Sequence, residues 1–244
     1  PKEVRLQPGS FDPAQPAKLV VTAVSAKPLY VGLVVQELKQ AGLPVPQVVR
    51  VEGDSPTLQW TTGTPAPAAK ADAPASETSG ANAEEAYRLE VRPDAVLCTA
   101  EHEPGLLYSI HTLRQLIRAN RRQGKLPCLS IRDWPSLRWR CFQDDITRGP
   151  SPKLGMLKFQ ADAGSYLKMN LFTYYMEHQF AFKKHPMIGP PDGSLTPEEL
   201  KALVVYAKPL HVDILGNQQS FGHFYHILKH PQFADLRETS SILC

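Results

Sequence analysis

Two apolar, aromatic runs with a helix between them constrain the fold of this chain more than any other part of the sequence. The first run covers residues 138–148 and the second covers 170–176, and both end in clustered charge. Such runs are typical of parallel strands covered on both faces. Barrels and open α/β sheets carry their active sites at the carboxyl ends of parallel strands. The sequence therefore predicts a parallel sheet with a charged site along one edge.

Five charged residues make up this predicted cluster. Asp144, Asp145 and Arg148 close the first run, and Glu177 and His178 follow the second. Because neighbouring parallel strands end along the same edge, these side chains are candidates for one site. The alternative interpretation is that they cap the sheet and form ion pairs with one another, worth about 0–1 kcal/mol when exposed.

The alternation of strand and helix continues to the end of the chain. A helix is predicted over about 153–168, and a third strand over 211–215. Between them a second helix begins at the N-cap Thr196, where Glu199 completes a capping box. Repeated βαβ units imply a parallel sheet with right-handed crossovers. A complete eight-fold barrel takes about 250 residues. The chain after residue 134 holds roughly three units of ~30 residues each, so it is part of a barrel or another small α/β fold.

The part of the chain before residue 134 mixes short strands with two helices, which favours a small α+β domain. Strands are predicted at 18–24, 48–51, 57–60, 86–91 and 95–100, the last two forming a hairpin. The clearer helix, 105–118, has Leu106, Ile110, Leu113 and Ile117 on one face and Arg114 and Arg118 outside. The other helix, 28–42, has Leu29, Leu33, Gln36 and Leu38 near one face.

Residues 62–85 differ in composition from the rest of this domain. Ala, Pro, Ser, Thr and Gly dominate there, and few side chains are suited to a core. A domain boundary would have the same composition. We interpret the segment as a flexible insertion within one domain of residues 1–133.

Composition and motif spacing exclude several classes of function. A net charge of +3 is too small and too dispersed to indicate a nucleic-acid surface. No apolar run approaches the ~18 residues of a membrane span, and the four cysteines lack CxxC spacing. His223, His226 and His230 would share one face of a helix, but no acidic or Cys residue completes a metal site nearby. The sequence predicts neither a metal nor another cofactor.

Three motifs carry a family resemblance. Residues 105–117 (GLLYSIHTLRQLI) resemble the pattern G-x-x-Y-G-x-Q-T-L-x-Q-L, and residues 131–148 (IRDWPSLRWRCFQDDITR) resemble I-x-D-x-P-R-F-x-W-R-G-x-x-x-D-x-x-R. Residues 166–172 (YLKMNLF) resemble Y-K-x-N-x-L-H. In this order they resemble glycoside hydrolase family 20, the β-N-acetylhexosaminidase type. The resemblance implies a small N-terminal α+β domain (1–133) followed by an incomplete TIM (β/α) barrel (134–244), a fold of α+β and α/β class.

The resemblance also implies roles for individual residues. Arg148 falls on the arginine that holds sugar hydroxyls at the bottom of the −1 subsite, and Asp145 would orient it. His223 falls on the histidine that supports the catalytic carboxylates. Glu177 and His178 stand where the family has paired aspartates, and Asn217–Gln219 replace a usually acidic segment. These departures indicate a divergent subfamily.

The catalytic Asp-Glu pair of the family follows the fourth barrel strand, and no Asp-Glu dipeptide occurs in this sequence. The resemblance therefore implies a retaining, substrate-assisted hexosaminidase acting on N-acetylhexosamine-containing glycans or glycoconjugates, present here as a fragment. The alternative is a catalytically inactive carbohydrate-binding or interaction fragment. Without a fourth strand, the third strand would leave an open edge, which predicts self-association.

Overall fold

The computed structural model describes residues 1–22, 28–51, 57–62, 81–149 and 151–243. The chain divides into two units, Pro1–Arg138 and Trp139–Cys244. Together they form a mixed α+β structure with one sheet in each unit. None of the described helices is long and apolar enough to cross a membrane.

The first unit is built on a seven-stranded sheet with the order β1-β7-β5-β6-β4-β2-β3. The β2 and β3 strands pair in parallel, and the other neighbouring strands pair antiparallel. The strands are β1 (Glu3–Phe11), β2 (Lys18–Thr22), β3 (Gln47–Val51), β4 (Thr57–Thr61), β5 (Tyr87–Val91), β6 (Ala95–Ala100) and β7 (Leu126–Asp133). The helices are α1 (Pro28–Gln40), α2 (Ala81–Glu84) and α3 (Glu103–Asn120).

The α3 helix forms the centre of the first core. Leu106, Ile110, Leu113 and Ile117 are all fully buried, as the spacing predicts. They join buried residues of β2, β4, β5 and β6 in one apolar cluster. The predicted hairpin is also present, since β5 and β6 pair antiparallel in register from Tyr87↔Ala100 to Val91↔Val96.

The predicted face of α1 was wrong at Gln36, whereas Leu38 is buried and Leu29 and Leu33 pack against the core. The buried residues are Tyr30, Val34, Glu37 and Leu38, whereas Gln36 is exposed. A count of apolar residues could not identify this face because it contains a glutamate. The carboxylate of Glu37 accepts hydrogen bonds from Arg118 Nε (2.9 Å) and Arg114 Nε (3.3 Å). These arginines, predicted to lie outside, neutralise the buried charge of the neighbouring helix.

Most of the predicted insertion, residues 63–80, lies outside the described residues, as do residues 23 and 24 of the strand predicted over 18–24. The end of the insertion is not a loop, because residues 81–84 form α2. The β4 strand before the segment and the β5 strand after it both pair with β6. Strands on both sides of the segment therefore belong to one sheet, as an insertion within one domain requires.

The second unit contains a three-stranded parallel sheet with the order β10-β9-β8. Its strands are β8 (Cys141–Asp145), β9 (Leu171–Tyr175) and β10 (Asp213–Asn217), and its helices are α4 (Leu154–Tyr166), α5 (Pro197–Ala207) and α6 (Tyr225–Leu228), with 3₁₀ turns at Lys208–Leu210 and Pro231–Leu236. The predicted capping box of α5 is present. Thr196 Oγ1 accepts from the Glu199 amide at 3.1 Å, and the Glu199 carboxylate accepts from the Thr196 amide at 3.0 Å.

The prediction that these strands are covered on both faces holds for β9 and is wrong for β8. Four of the five β9 residues are buried, whereas β8 and β10 are mostly exposed. The reason is position: β9 lies between two strands, while β8 and β10 each pair with one strand in the described chain. Sequence hydrophobicity reports what a strand could bury, not which neighbours it has.

Candidate functional site

The candidate site lies where the parallel strands of the second unit end. Asp145 is the last residue of β8, Glu177 follows β9 by two residues, and His223 lies in the loop after β10. Asp144 does not join them, because alternation along β8 directs it toward α4. There its Oδ2 accepts a 2.6 Å hydrogen bond from Gln160. The structure thus separates the two adjacent aspartates of the first run.

An arginine connects the ends of β8 and β9. Arg148 Nη2 donates to Glu177 Oε1 at 2.8 Å, and Arg148 Nε lies 3.9 Å from Asp145 Oδ2. The Glu177 side chain is only 5% exposed, whereas that of Arg148 is 51% exposed. The guanidinium is therefore held by a buried carboxylate while about half of the Arg148 side chain remains exposed.

Thr147 belongs to the site although the sequence analysis did not select it. Its amide and its hydroxyl donate to Asp145 Oδ1 at 2.9 and 2.6 Å. Arg148 Nη1 in turn donates to the Thr147 hydroxyl. An aspartate two residues before a threonine is an Asx-turn pattern, so a local signal for this contact was present in the sequence.

Tyr175 also belongs to the site, outside the charged residues predicted from the sequence. It is the last residue of β9, and its side chain helps to lower the pKa of the nearby Glu177. The Cζ atom of Arg148 lies 5.7 Å from the centre of its ring. Because Tyr175 is 9% exposed, it resembles a core aromatic in the sequence, and only its position beside Glu177 reveals its second contact.

Histidines flank the buried glutamate. The His178 ring stacks on that of His226 with 3.9 Å between centroids and 15° between planes, and His178 Nδ1 lies 3.8 Å from Glu177 Oε2. No helix carries His223, His226 and His230 on one face, because α6 covers only Tyr225–Leu228. Among the described residues no group of three or more His, Cys, Asp or Glu side chains is arranged to hold a metal ion.

The surroundings determine the charge state of each group. Burial by itself would raise the pKa of Glu177, but hydrogen bonds from Arg148 and Tyr175 bring that pKa below its ordinary value, with a smaller contribution from His223. Burial would also raise the pKa of Asp145. Hydrogen bonds from Thr147, together with the electrostatic effects of Arg148 and His223, bring that pKa below its ordinary value. The pKa of His178 is lowered, first by burial and then by His226. At neutral pH, Arg148 therefore faces two carboxylates beside a neutral His178.

Two site residues have an unusual backbone conformation. Glu177 has φ 42° and His223 has φ 60°, both in the left-handed region. Two further described non-glycine residues, Lys168 and His211, share this conformation, but both terminate helices, where it is common. Away from helix ends, a left-handed backbone conformation costs a non-glycine residue about 1–3 kcal/mol, and such residues are concentrated at functional sites. The conformation orients Glu177 and His223 toward the same charged cluster.

The structure thus brings Asp145, Arg148, Glu177 and His178 into one connected cluster, and His223 acts on both carboxylates electrostatically. We call this group the Arg148 cluster. Its solvent-facing guanidinium is a fixed donor fork that suits hydroxyl or oxyanion groups.

Comparisons with known proteins place these observations in context. The family model of glycosyl hydrolase family 20, domain 2, matches residues 1–134. The chain is 30% identical over 159 residues to a β-hexosaminidase of Akkermansia muciniphila, covering 57% of this chain and 32% of that protein. It is 25% identical over 157 residues to β-hexosaminidase subunit A1 of Dictyostelium discoideum, covering 60% of this chain and 29% of that one. The chain thus spans about a third of the length of the curated relatives it matches.

Solved structures show the same fold. A mutant β-hexosaminidase of Streptomyces plicatus in complex with its product GlcNAc superposes on all of this chain with a TM-score of 0.71 at 20% identity, and 52% of that protein is covered. A chitobiase of Flavobacterium johnsoniae superposes on 97% of this chain with a TM-score of 0.69 at 21% identity, and 36% of it is covered.

Proposed function

This chain belongs to glycosyl hydrolase family 20, and we propose that it is part of a β-N-acetylhexosaminidase that removes terminal N-acetylhexosamine from glycans or glycoconjugates. In this proposal residues 1–133 are the small domain and residues 134–244 are the first three units of a TIM barrel. Matched relatives named β-hexosaminidases support it. The observation that carries it is the guanidinium of Arg148, held at 2.8 Å by the buried Glu177 at the carboxyl end of a parallel strand.

Each residue of the Arg148 cluster has a proposed role. Arg148 donates to two sugar hydroxyls through its planar fork, and Asp145 and Glu177 fix the orientation of that fork. His178 and His223 line the same edge and complete the substrate-binding set. The substrate's acetamido oxygen attacks the anomeric carbon as the glycosidic bond breaks and the leaving oxygen takes a proton from the general acid. Water then attacks the anomeric carbon from the opposite face and breaks its bond to the acetamido oxygen, so that two inversions retain the configuration and no metal or other cofactor takes part. The Asp-Glu pair for this step is not in these 244 residues, so another part of the barrel must supply it.

A second candidate function follows from that last observation. The chain by itself would be a catalytically inactive fragment that binds carbohydrate. The two candidates differ in the isolated chain, where we expect no hydrolysis of an aryl N-acetyl-β-glucosaminide above background, because general acid/base catalysis alone contributes roughly 10²–10⁴ in rate. Turnover at ordinary enzymatic rates by the isolated chain would contradict the proposal that catalysis needs the absent Asp-Glu pair. It would also contradict the roles assigned to the Arg148 cluster.

The test of the proposed site uses a version of the protein that extends through the rest of its barrel. Arg148→Lys keeps the positive charge but loses the donor fork, so kcat/KM should fall by about tenfold or more, the value of one charge-assisted hydrogen bond. The melting temperature should change little, because the side chain is half in water. Arg237→Lys, in the same unit but outside the cluster, is the matched control. Retained activity with lowered stability would make Arg148 a structural residue.

We also propose that the isolated chain associates with itself through its open sheet. The β8 and β10 strands each have one strand neighbour in the described chain and are mostly exposed, with Phe142 at 42% and Leu215 at 54%. Exposed strand edges beside apolar side chains favour pairing with another chain. Light scattering should find species larger than a monomer whose fraction rises with concentration. A monomer at all concentrations would contradict this proposal.

A further inference from the structure

The first unit has a charged sheet face that the Arg148 cluster does not involve. Along β5 the residues alternate: Tyr87, Leu89 and Val91 are buried in the core, whereas Arg88 and Glu90 are half-buried on the opposite face. The same alternation holds for residues 129–132 of β7, where Leu129 and Ile131 are buried and Ser130 and Arg132 are half-buried. Since α3 packs against the apolar face, the charged residues lie on the face away from it.

These side chains line an open groove of about 280 Å³. Its lining is entirely polar and consists of Glu3, Arg5, Arg88, Glu90, Ser130 and Arg132. The volume is close to the lower limit of small-molecule sites, roughly 300–1,000 Å³. The groove therefore has room for one sugar-sized group rather than an extended chain.

The strand register arranges the lining in two rows. Arg132 of β7 lies opposite Glu3 of β1 on one side and opposite Arg88 of β5 on the other. In the next row Ser130 lies between Arg5 and Glu90. A small serine at the centre leaves the hollow between the longer side chains.

Two features make this groove attractive to an anion. Arg88 and Arg132 are direct cross-strand partners, and like charges in that position repel each other. Their ion pairs to Glu90 and Glu3, at 3.9 and 3.5 Å, are longer than charge-assisted hydrogen bonds of about 2.7–2.9 Å.

Arg5 supplies an available cation. Its side chain is exposed and forms no hydrogen bond or ion pair with any residue that the structure describes. Three arginines face two glutamates in the groove, so the lining carries excess positive charge. The two carboxylates and the Ser130 hydroxyl also provide acceptors for hydroxyl groups.

We propose that this groove binds an acidic saccharide: a carboxylate or sulfate group contacts Arg5, Arg88 and Arg132, and ring hydroxyls donate to Glu3 and Glu90. Guanidinium groups bind planar and tetrahedral oxyanions through paired donors. A neutral sugar carries no charge to offset the repulsion between the cross-strand arginines. The site is separate from the Arg148 cluster and does not rest on the function proposed for it.

The test is a titration of the full chain followed by amide chemical shifts. The probes are glucuronate for a carboxylate, N-acetylglucosamine 6-sulfate for a sulfate, and N-acetylglucosamine as the neutral control. Either acidic sugar should shift amides of β1, β5 and β7 saturably, and the neutral sugar should not. Response to only one acidic sugar identifies the anion.

The matched variants are Arg5→Gln and Arg50→Gln. Both remove one positive charge from an edge strand of the same sheet, but Arg50 lies on β3 at the other end. Arg5→Gln should weaken binding of the acidic sugar about tenfold, the effect of one charge-assisted hydrogen bond, and Arg50→Gln should leave it unchanged.

Three results would overturn the proposal. These are no saturable shift with either acidic sugar, equal weakening by both variants, or inorganic sulfate binding as tightly as the sulfated sugar. Unfolding curves of the two variants should coincide, because both side chains are exposed. An inactive Arg148 cluster would leave this result unaffected, so the two proposals fail separately.

Discussion

The two units of this chain hold buried glutamates of nearly equal exposure in different surroundings. Glu37 in the first unit is 2% exposed and accepts hydrogen bonds from Arg114 and Arg118. Glu177 in the second unit is 5% exposed, and the arginine that pairs with it, Arg148, is half exposed. A carboxylate held between two helices contributes to stability, whereas one that fixes a solvent-facing guanidinium leaves that guanidinium able to bind something else.

The sheets show the same contrast. In the first unit every residue of β4 and β6 is buried, and both strands lie inside the seven-stranded sheet. In the second unit only the middle strand is comparably covered. The unit with the complete sheet is also the one that the family model matches. We infer that the first unit provides most of the stability and the second provides most of the candidate chemistry.

The largest expected effect comes from truncating one leucine in each unit. Leu106→Ala should lower the free energy of unfolding by about 2–5 kcal/mol, because a fully buried side chain leaves a cavity. Leu215→Ala should change it by less than about 1 kcal/mol, because Leu215 is 54% exposed. Urea unfolding monitored by circular dichroism measures both. Equal effects would mean that the second unit has a core as complete as the first.

A smaller effect is expected from neutralising each buried glutamate. Glu37→Gln leaves the mostly buried Arg114 without its counter-charge, so the free energy of unfolding should fall by about 3 kcal/mol. Glu177→Gln should cost about 1 kcal/mol, since water can solvate the exposed Arg148. The same unfolding measurement applies, with Glu198→Gln, an exposed ion-pair partner, as control. A larger loss of unfolding free energy for Glu177→Gln than for Glu37→Gln would mean that Glu177, not Glu37, is the glutamate that mainly stabilises the fold.

The smallest expected effect is a pH dependence confined to the second unit. The folded pKa of His178 is lowered from its ordinary 6.5, so the unfolded state binds more protons, and stability falls as the pH drops below about 6.5 toward the folded value. The lowered pKa of Glu177 acts in the same direction below its ordinary 4.5.

Amide hydrogen exchange of β9 measured between pH 8 and pH 5.5, corrected for intrinsic rates, should show this loss of protection, and that of β5 should not. His178→Gln should reduce the pH dependence of β9, whereas His102→Gln, at an exposed histidine of the first unit, should not. If β5 and β9 lose protection together, the effect is global.

Features with local causes were predicted from the sequence. The buried face of α3, the capping box at Thr196 and the three parallel strands each depend on residues near one another in the chain. Features with distant causes were missed. The β1 strand, Glu3–Phe11, was not predicted because its partner β7 lies more than a hundred residues later, and its own residues are mostly exposed.

The sequence by itself determined the helices, the direction of the second sheet, the family resemblance and the selection of Asp145, Arg148, Glu177 and His178. Only the tertiary structure decided that Tyr175 lies beside Glu177, that His178 stacks on His226, and that Arg114 and Arg118 enclose Glu37. Local propensity and spacing act over a few residues, so the sequence reports them directly. The partner of a buried charge is chosen by packing between distant segments, because desolvation makes that charge costly until a counter-charge from elsewhere in the fold reaches it.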